Sequence, residues 1–144
     1  MSTLLQPLTI TTALAAGVLA GPFQLAEDIL TSILLEGAFV YGSGGATVDA
    51  WVQTSTDSGG KFVDIAQFHF TTASATKAFN LSSATPVTTE LVFAAPGSLA
   101  SDTCKDGILG PWLRVWGSST GTYAGGTTLA VYCNRRLRAV GRAP

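Results

Sequence analysis

The 144 residues carry eight Lys and Arg against nine Asp and Glu, a formal net charge of −1. A chain of this length buries a core without cross-links, and near-neutral charge argues against nucleic-acid binding driven by phosphate neutralisation. Only 12% of the residues are charged while 47% are hydrophobic, so apolar surface is expected to be covered in an oligomer or larger assembly.

Along the chain, Leu8, Ile10, Thr12 and Leu14 alternate with Thr9, Thr11 and Ala13, which is strand periodicity. The apolar run around them has the look of a signal-peptide core. No Lys or Arg precedes Lys61, however, and the run is shorter than a membrane span. The reading is a strand preceded by an N-terminal arm over residues 1–7, and the sequon Asn80-Leu81-Ser82 is then incidental. Only Gln24 to Ser32, "QLAEDILTS", has helical character, enough for a turn or two.

Ile33, Leu35, Phe39 and Tyr41 share one face of a strand ended by "YGSGG", and Val48, Ala50 and Val52 share one face of the next. A third runs from about Lys61 to Phe70, and a shorter one carries Lys77, Phe79 and Leu81. Val87, Leu91 and Phe93 alternate with Thr88 and Glu90 in a strand ended by "APGS". After a polar loop around Cys104 come "PWLRVWG" and "TTLAVYCN", then a basic tail over residues 135–144 with Arg135, Arg136, Arg138 and Arg142. The tail is a solvated terminus or a grip on an acidic surface or nucleic acid. About eight strands at this spacing, with no βαβ rhythm, phosphate loop or repeat, predict a single all-β domain. It is an antiparallel β-sandwich, jelly-roll or Ig-like.

The stretch Ser55 to Phe62, "STDSGGKF", resembles the Asp-box hairpin of sialidase-type propellers, Ser-x-Asp-x-Gly-x-Thr-Trp. Its chemistry is local: an Asp in a tight turn accepts backbone N–H groups, and Gly supplies positive φ. Ser55, Asp57, Gly59 and Gly60 are therefore turn-forming. A sialidase needs several blades and an arginine cluster for the substrate carboxylate, yet only Arg114 lies outside the C-terminal tail. That activity is excluded. With Thr54 opposite Lys61, Trp51 falls opposite Asp64, and Val48, Ala50, Val52, Val63 and Ile65 form one apolar face. Asp49, Trp51, Gln53, Phe62 and Asp64 then share the other face. Two carboxylates near an aromatic are the parts of a glycosidase site; solvated or paired surface acids are the plainer reading.

His69 is the only histidine and has no motif beside it, so it reads as structural. Cys104 and Cys133 are not in metal-ligand spacing. Cys133 is in phase with core residues, and a disulfide between the two stays open. In "PWLRVWG", Leu113 and Val115 point one way and Trp112, Arg114 and Trp116 the other. Trp and Arg dominate protein–protein hot spots and also stack on bases or sugar rings, while packing against the sandwich is the structural alternative.

In order, "YGSGGATVDAWVQTSTDSGG", "VDIAQFHF", "FNLSSATPVT", "DGILG", "LRV" and "GTYAGGTTLAV" resemble small proteins encoded in tailed-phage and prophage virion gene clusters. The resemblance covers roughly residues 33–133 and departs at Pro111-Trp112. It implies a virion protein assembled in the host bacterial cytoplasm, with the major capsid protein and other virion proteins as partners. The expected function is a capsid decoration or cement protein, a homo-oligomer (dimer or trimer) without enzymatic activity, cofactor, metal or membrane. Expected interface residues are Trp51, Trp112, Arg114, Trp116, Arg135, Arg136 and Arg138. The alternatives are a neck, tail or fibre component, or a carbohydrate-binding module that reads a host glycan through its tryptophans.

Overall fold

The computed structural model describes residues 2–24, 30–57, 60–83, 85–88 and 96–137. Among these residues ten strands run in chain order: β1 (Ser2–Thr9), β2 (Gly17–Gln24), β3 (Leu30–Val40), β4 (Ser43–Gly44), β5 (Thr47–Ser55), β6 (Val63–Phe70), β7 (Ala75–Ser82), β8 (Trp112–Thr120), β9 (Tyr123–Ala124) and β10 (Thr128–Leu137). No helix occurs among the described residues.

Two four-stranded sheets form, β1-β10-β3-β7 and β2-β8-β5-β6, with every neighbouring pair antiparallel. We call them the first and second sheet. Leaving out the two-residue strands β4 and β9, the eight long strands have the order of a jelly roll, changing sheet at every connection except the β5–β6 hairpin. The fold is thus the all-β sandwich expected from the strand spacing, in its jelly-roll rather than Ig-like form.

Period-2 alternation explains the core. Ile33, Leu35 and Phe39 from β3, Leu81 from β7, and Leu129, Val131 and Cys133 from β10 are buried on the inner face of the first sheet. Val48, Ala50 and Val52 from β5, Phe68 and Phe70 from β6, and Leu113 and Val115 from β8 meet them from the second sheet. At about 25 cal/mol per Å² of apolar area this burial is the main stabilising term.

Several expectations change. The N-terminal arm is in the sheet: β1 pairs with β10 from Ser2 opposite Cys133 to Thr9 opposite Thr128. Two register shifts interrupt β1, so adjacent Leu4 and Leu5 are both buried and the period-2 pattern fails there. The strand read over Leu8 to Leu14 therefore ends at Thr9, and Ile10 and Leu14 are anchored by Ile10 N–H to Thr127 O (2.9 Å) and Leu14 N–H to Ser119 Oγ (2.8 Å). Gln24 lies in β2 and Leu30 to Ser32 in β3, so these ends of the expected helical stretch are strand; residues 25–29 are outside the described ones. Val87 and Thr88 lie outside any strand, and Glu90, Leu91 and Phe93 are outside the described residues. The first residues of the expected tail are strand, because β10 continues to Leu137, with Arg135 opposite Ile33 and Arg136 opposite Ser32; residues 138–144 are outside the described ones.

The glycine-rich stretches "YGSGG" and "GTYAGG" meet as the small β4–β9 sheet. Tyr123 is buried there, donates its hydroxyl to Thr71 O (2.7 Å) and packs edge-on to Phe39 and Tyr41. Gly45 lies flat on the Tyr123 ring at φ +71°, and a Cβ would come within 2.3 Å of it. Close packing thus accounts for two of the stretches that carry the family resemblance.

Candidate functional site

On the outer face of the second sheet, β5 and β8 set Trp51 opposite Trp116, Gln53 opposite Arg114 and Ser55 opposite Trp112. Their inward neighbours fill the core, so these side chains point away from it. Across β6, a register shift after Val52 places Asp64 opposite Gln53 and Gln67 opposite Trp51. The expected Thr54–Lys61 and Trp51–Asp64 pairs fail because Thr54 faces Val63, so the hairpin loop is two residues longer than read, and the bulge adds one more residue beyond Val52.

Asp64 is the hub of this face and is 5% exposed. Its carboxylate accepts Gln53 Nε2–H (2.6 Å) and the backbone N–H groups of Gly97 (3.2 Å), Ser98 (2.8 Å) and Leu99 (3.0 Å). Gln53 passes the network on, accepting Arg114 Nε–H at Oε1 (2.6 Å). The Arg114 guanidinium lies 4.0 Å from the centre of the Phe62 ring and 5.3 Å from that of Trp116, a cation–π sandwich.

A second chain of bonds runs beside it. Asp49 Oδ1 accepts Gln67 Nε2–H (2.7 Å) and lies 2.6 Å from His69 Nδ1. Gln67 Oε1 accepts the Asp102 N–H (2.7 Å), and the Asp102 carboxylate accepts His69 N–H (3.0 Å) and Lys77 Nζ (2.8 Å). Partial desolvation pushes the Asp102 carboxyl up, but Lys77 and the His69 N–H outweigh it and hold the group below its ordinary range.

Residues 96–103 thus form a loop bonded down onto the second sheet. Gly97 lies over both indoles, its Cβ position 3.3 Å from Trp116 Nε1 and 3.8 Å from Trp51, and Trp51 Nε1–H donates to Leu99 O (2.9 Å). Trp51, Trp112, Arg114 and Trp116 are all half-buried. The structure brings the last two together with Trp51 and places Trp112 at the strand end beside Gln24 and Ser55. Both acids of the glycosidase-like arrangement are engaged, Asp64 by the loop and Asp49 by His69 and Gln67. Cys104 is exposed and Cys133 buried, and no disulfide joins them.

The turn is anchored by Asp57, although Thr54 faces Val63 and not the expected Lys61. Asp57 Oδ1 accepts the Ser55 hydroxyl (2.8 Å) and the N–H groups of Gly60 (3.1 Å) and Lys61 (2.8 Å). The Lys61 N–H and the Ser55 hydroxyl hold the Asp57 carboxyl below its ordinary range. Gly59 lies outside the described residues, as does Arg138; Arg135 and Arg136 are placed only as backbone of β10.

The outer face of the first sheet, which sequence reasoning did not single out, has none of this. Its described side chains include Thr3 and Thr9 on β1, Ser32, Leu34, Glu36, Ala38 and Val40 on β3, Thr76, Ala78, Asn80 and Ser82 on β7, and Thr128, Ala130, Tyr132 and Asn134 on β10. Glu36 is the one charge among them. Leu34 is 37% and Val40 55% exposed, and Ser32, Leu34, Asn80 and Asn134 line a depression of about 410 Å³. The signal in the sequence was a run of small uncharged residues at the outward positions of three strands.

No family model, curated protein or solved structure matches this chain.

Proposed function

We propose that this chain is a structural protein of a tailed-phage virion, a capsid decoration or cement protein that binds the major capsid protein and stabilises the head. The observation that carries the reading is the outer face of the first sheet, whose described side chains hold one charge, Glu36, with Leu34 and Val40 exposed. Covering such a face removes apolar side chains from water at about 1.5–3 kcal/mol for each fully buried Leu or Val. Its Ser, Thr and Asn groups form hydrogen bonds across an interface without the desolvation penalty of buried charge. Jelly rolls are frequent in viral capsids, which supports the reading by analogy of fold. The sequence resemblance to virion gene clusters points the same way. In this reading the protein acts in the virion, after assembly in the bacterial cytoplasm, next to further copies of itself.

The test is its copy number in purified particles, read from a mass-calibrated gel. A decoration protein appears at a copy number commensurate with the capsid lattice, and particles lacking it assemble but break at lower temperature. About a dozen copies or fewer would instead mark a neck or tail component, and absence from particles would end the virion reading.

A further inference from the structure

A sandwich exposes four sheet edges, and natural proteins blunt edges against pairing with other chains. Three of the four are blunted here. β1 has two register shifts and Pro7. β2 has two register shifts and Pro22, which lacks an N–H. β6 is capped by residues 103–105, through Gln67 N–H to Thr103 O (2.9 Å) and Lys105 N–H to Ile65 O (2.8 Å).

β7 differs. It pairs with β3 in unbroken register from Ser82 opposite Ser32 to Ala75 opposite Phe39, and it contains no proline. Only its last residue is engaged on the far side, where Ser82 bonds to Asp106 and Gly107. From Ala75 to Leu81, no described residue outside β3 bonds to its backbone. Lys77 is the residue type that guards an edge. Its ammonium is instead drawn to Asp102 and the His69 carbonyl, 5.1 Å from the centre of the Phe70 ring. The remaining side chains on the outer face of β7, at Thr76, Ala78 and Asn80, are exposed and uncharged.

We propose that β7 pairs antiparallel with β7 of a second copy about a two-fold axis at Ala78, joining two four-stranded sheets into one of eight strands. The strand is self-complementary in this register. Ala78 meets Ala78, Thr76 meets Asn80, and Lys77 meets Phe79, so no like charges face each other. A two-fold axis normal to the sheet also keeps both outer faces on one side, making a continuous surface of twice the area. A net charge of −1 leaves little repulsion between copies. The pairing belongs to the free chain and does not rest on the virion role, so the two fail separately.

Light scattering of the purified chain over a wide concentration range should give a dimer. Ala78→Glu and Ala78→Lys should each weaken it by about tenfold or more, and an equal mixture of the two should restore it. Ala78→Cys, in a Cys104→Ser background, should cross-link as a dimer on mild oxidation, because directly opposed Cβ atoms lie about 4.5–5.5 Å apart. Thermal unfolding of each variant checks the fold; the near-isosteric Cys variant carries the test if a charged one fails to fold. A monomer, a trimer, or a dimer that neither charge at Ala78 weakens and that Ala78→Cys does not cross-link overturns the proposal.

Discussion

The two sheets share one core and one topology, yet their outer faces are finished in opposite ways. On the second sheet, polar and aromatic side chains are covered by the chain's own loop, and two glutamines on that face, Gln53 and Gln67, are fully buried. No buried side-chain polar atom among the described residues lacks a partner. On the first sheet the outward residues are mostly small and uncharged, with Glu36 the one charge among the described side chains, and Leu34 and Val40 are exposed. Buried polar networks fix one arrangement because each group left unpaired carries a penalty. The second face is thus specified from within, while the first is available to something else. The Trp and Arg residues that suggest an interface in the sequence belong largely to the self-contained side.

The sharpest way to break that comparison is at the hub. Asp64→Ala removes the acceptor of the buried Gln53 amide and of three part-buried backbone N–H groups. The expected loss is about 3 kcal/mol or more of unfolding free energy in urea, with increased proteolysis between residues 96 and 103. A loss below about 1 kcal/mol would mean that the loop is held by something other than this carboxylate.

Next comes Arg114. Its Nε–H bond to Gln53 and its place between Phe62 and Trp116 predict a loss of about 1–2 kcal/mol for Arg114→Ala. Arg114→Lys should recover less than half, since an ammonium lacks the planar fork that stacks and donates at once. Full rescue by Lys would show that charge alone matters there.

These residues also show how far the sequence was legible. Alternation of apolar and polar residues is a local signal, so it disclosed the inner faces of β3, β5, β8 and β10 and the outward direction of Trp51, Arg114 and Trp116. The "STDSGG" turn was legible for the same reason, because Asp57 bonds only to near neighbours. What was missed depends on register and distance. A hairpin loop two residues longer than read moves Asp64 from Trp51 to Gln53, and the loop that claims Asp64 is more than thirty residues away. Nothing local tells a solvated acid from one that accepts three distant N–H groups. The bare face of the first sheet was overlooked because uncharged Thr, Ala and Asn residues form no motif.

A smaller effect tests the second chain of bonds. The Asp102 carboxyl sits below its ordinary range in the folded protein, so its stabilisation is present above the unfolded value near 3.8 and is lost as pH falls through the folded one. Wild type should exceed Asp102→Asn in urea midpoint at neutral pH, with the gap closing below about pH 4. An equal gap at both pH values would separate this carboxylate from acid sensitivity. Its side chain is 42% exposed, so solvent screening keeps the effect modest.

The smallest expected change in stability lies on the other face and is the most informative. Leu34 is on the outer side of β3, beside Asn80 and Asn134 at the depression. Leu34→Ser removes little packing within the chain, so urea unfolding should move by no more than about 0.5 kcal/mol. If this face is covered in the assembled state, the same change should reduce incorporation into particles while the monomer remains as stable as before. A large loss of stability in the isolated chain would show that Leu34 already has a partner within the fold, and the contrast between the faces would collapse. Unchanged stability with unchanged incorporation would leave the contrast standing but move the docking surface away from Leu34. Stability and assembly must therefore be read on the same variant, because only their separation distinguishes a face reserved for a partner from one that is merely plain.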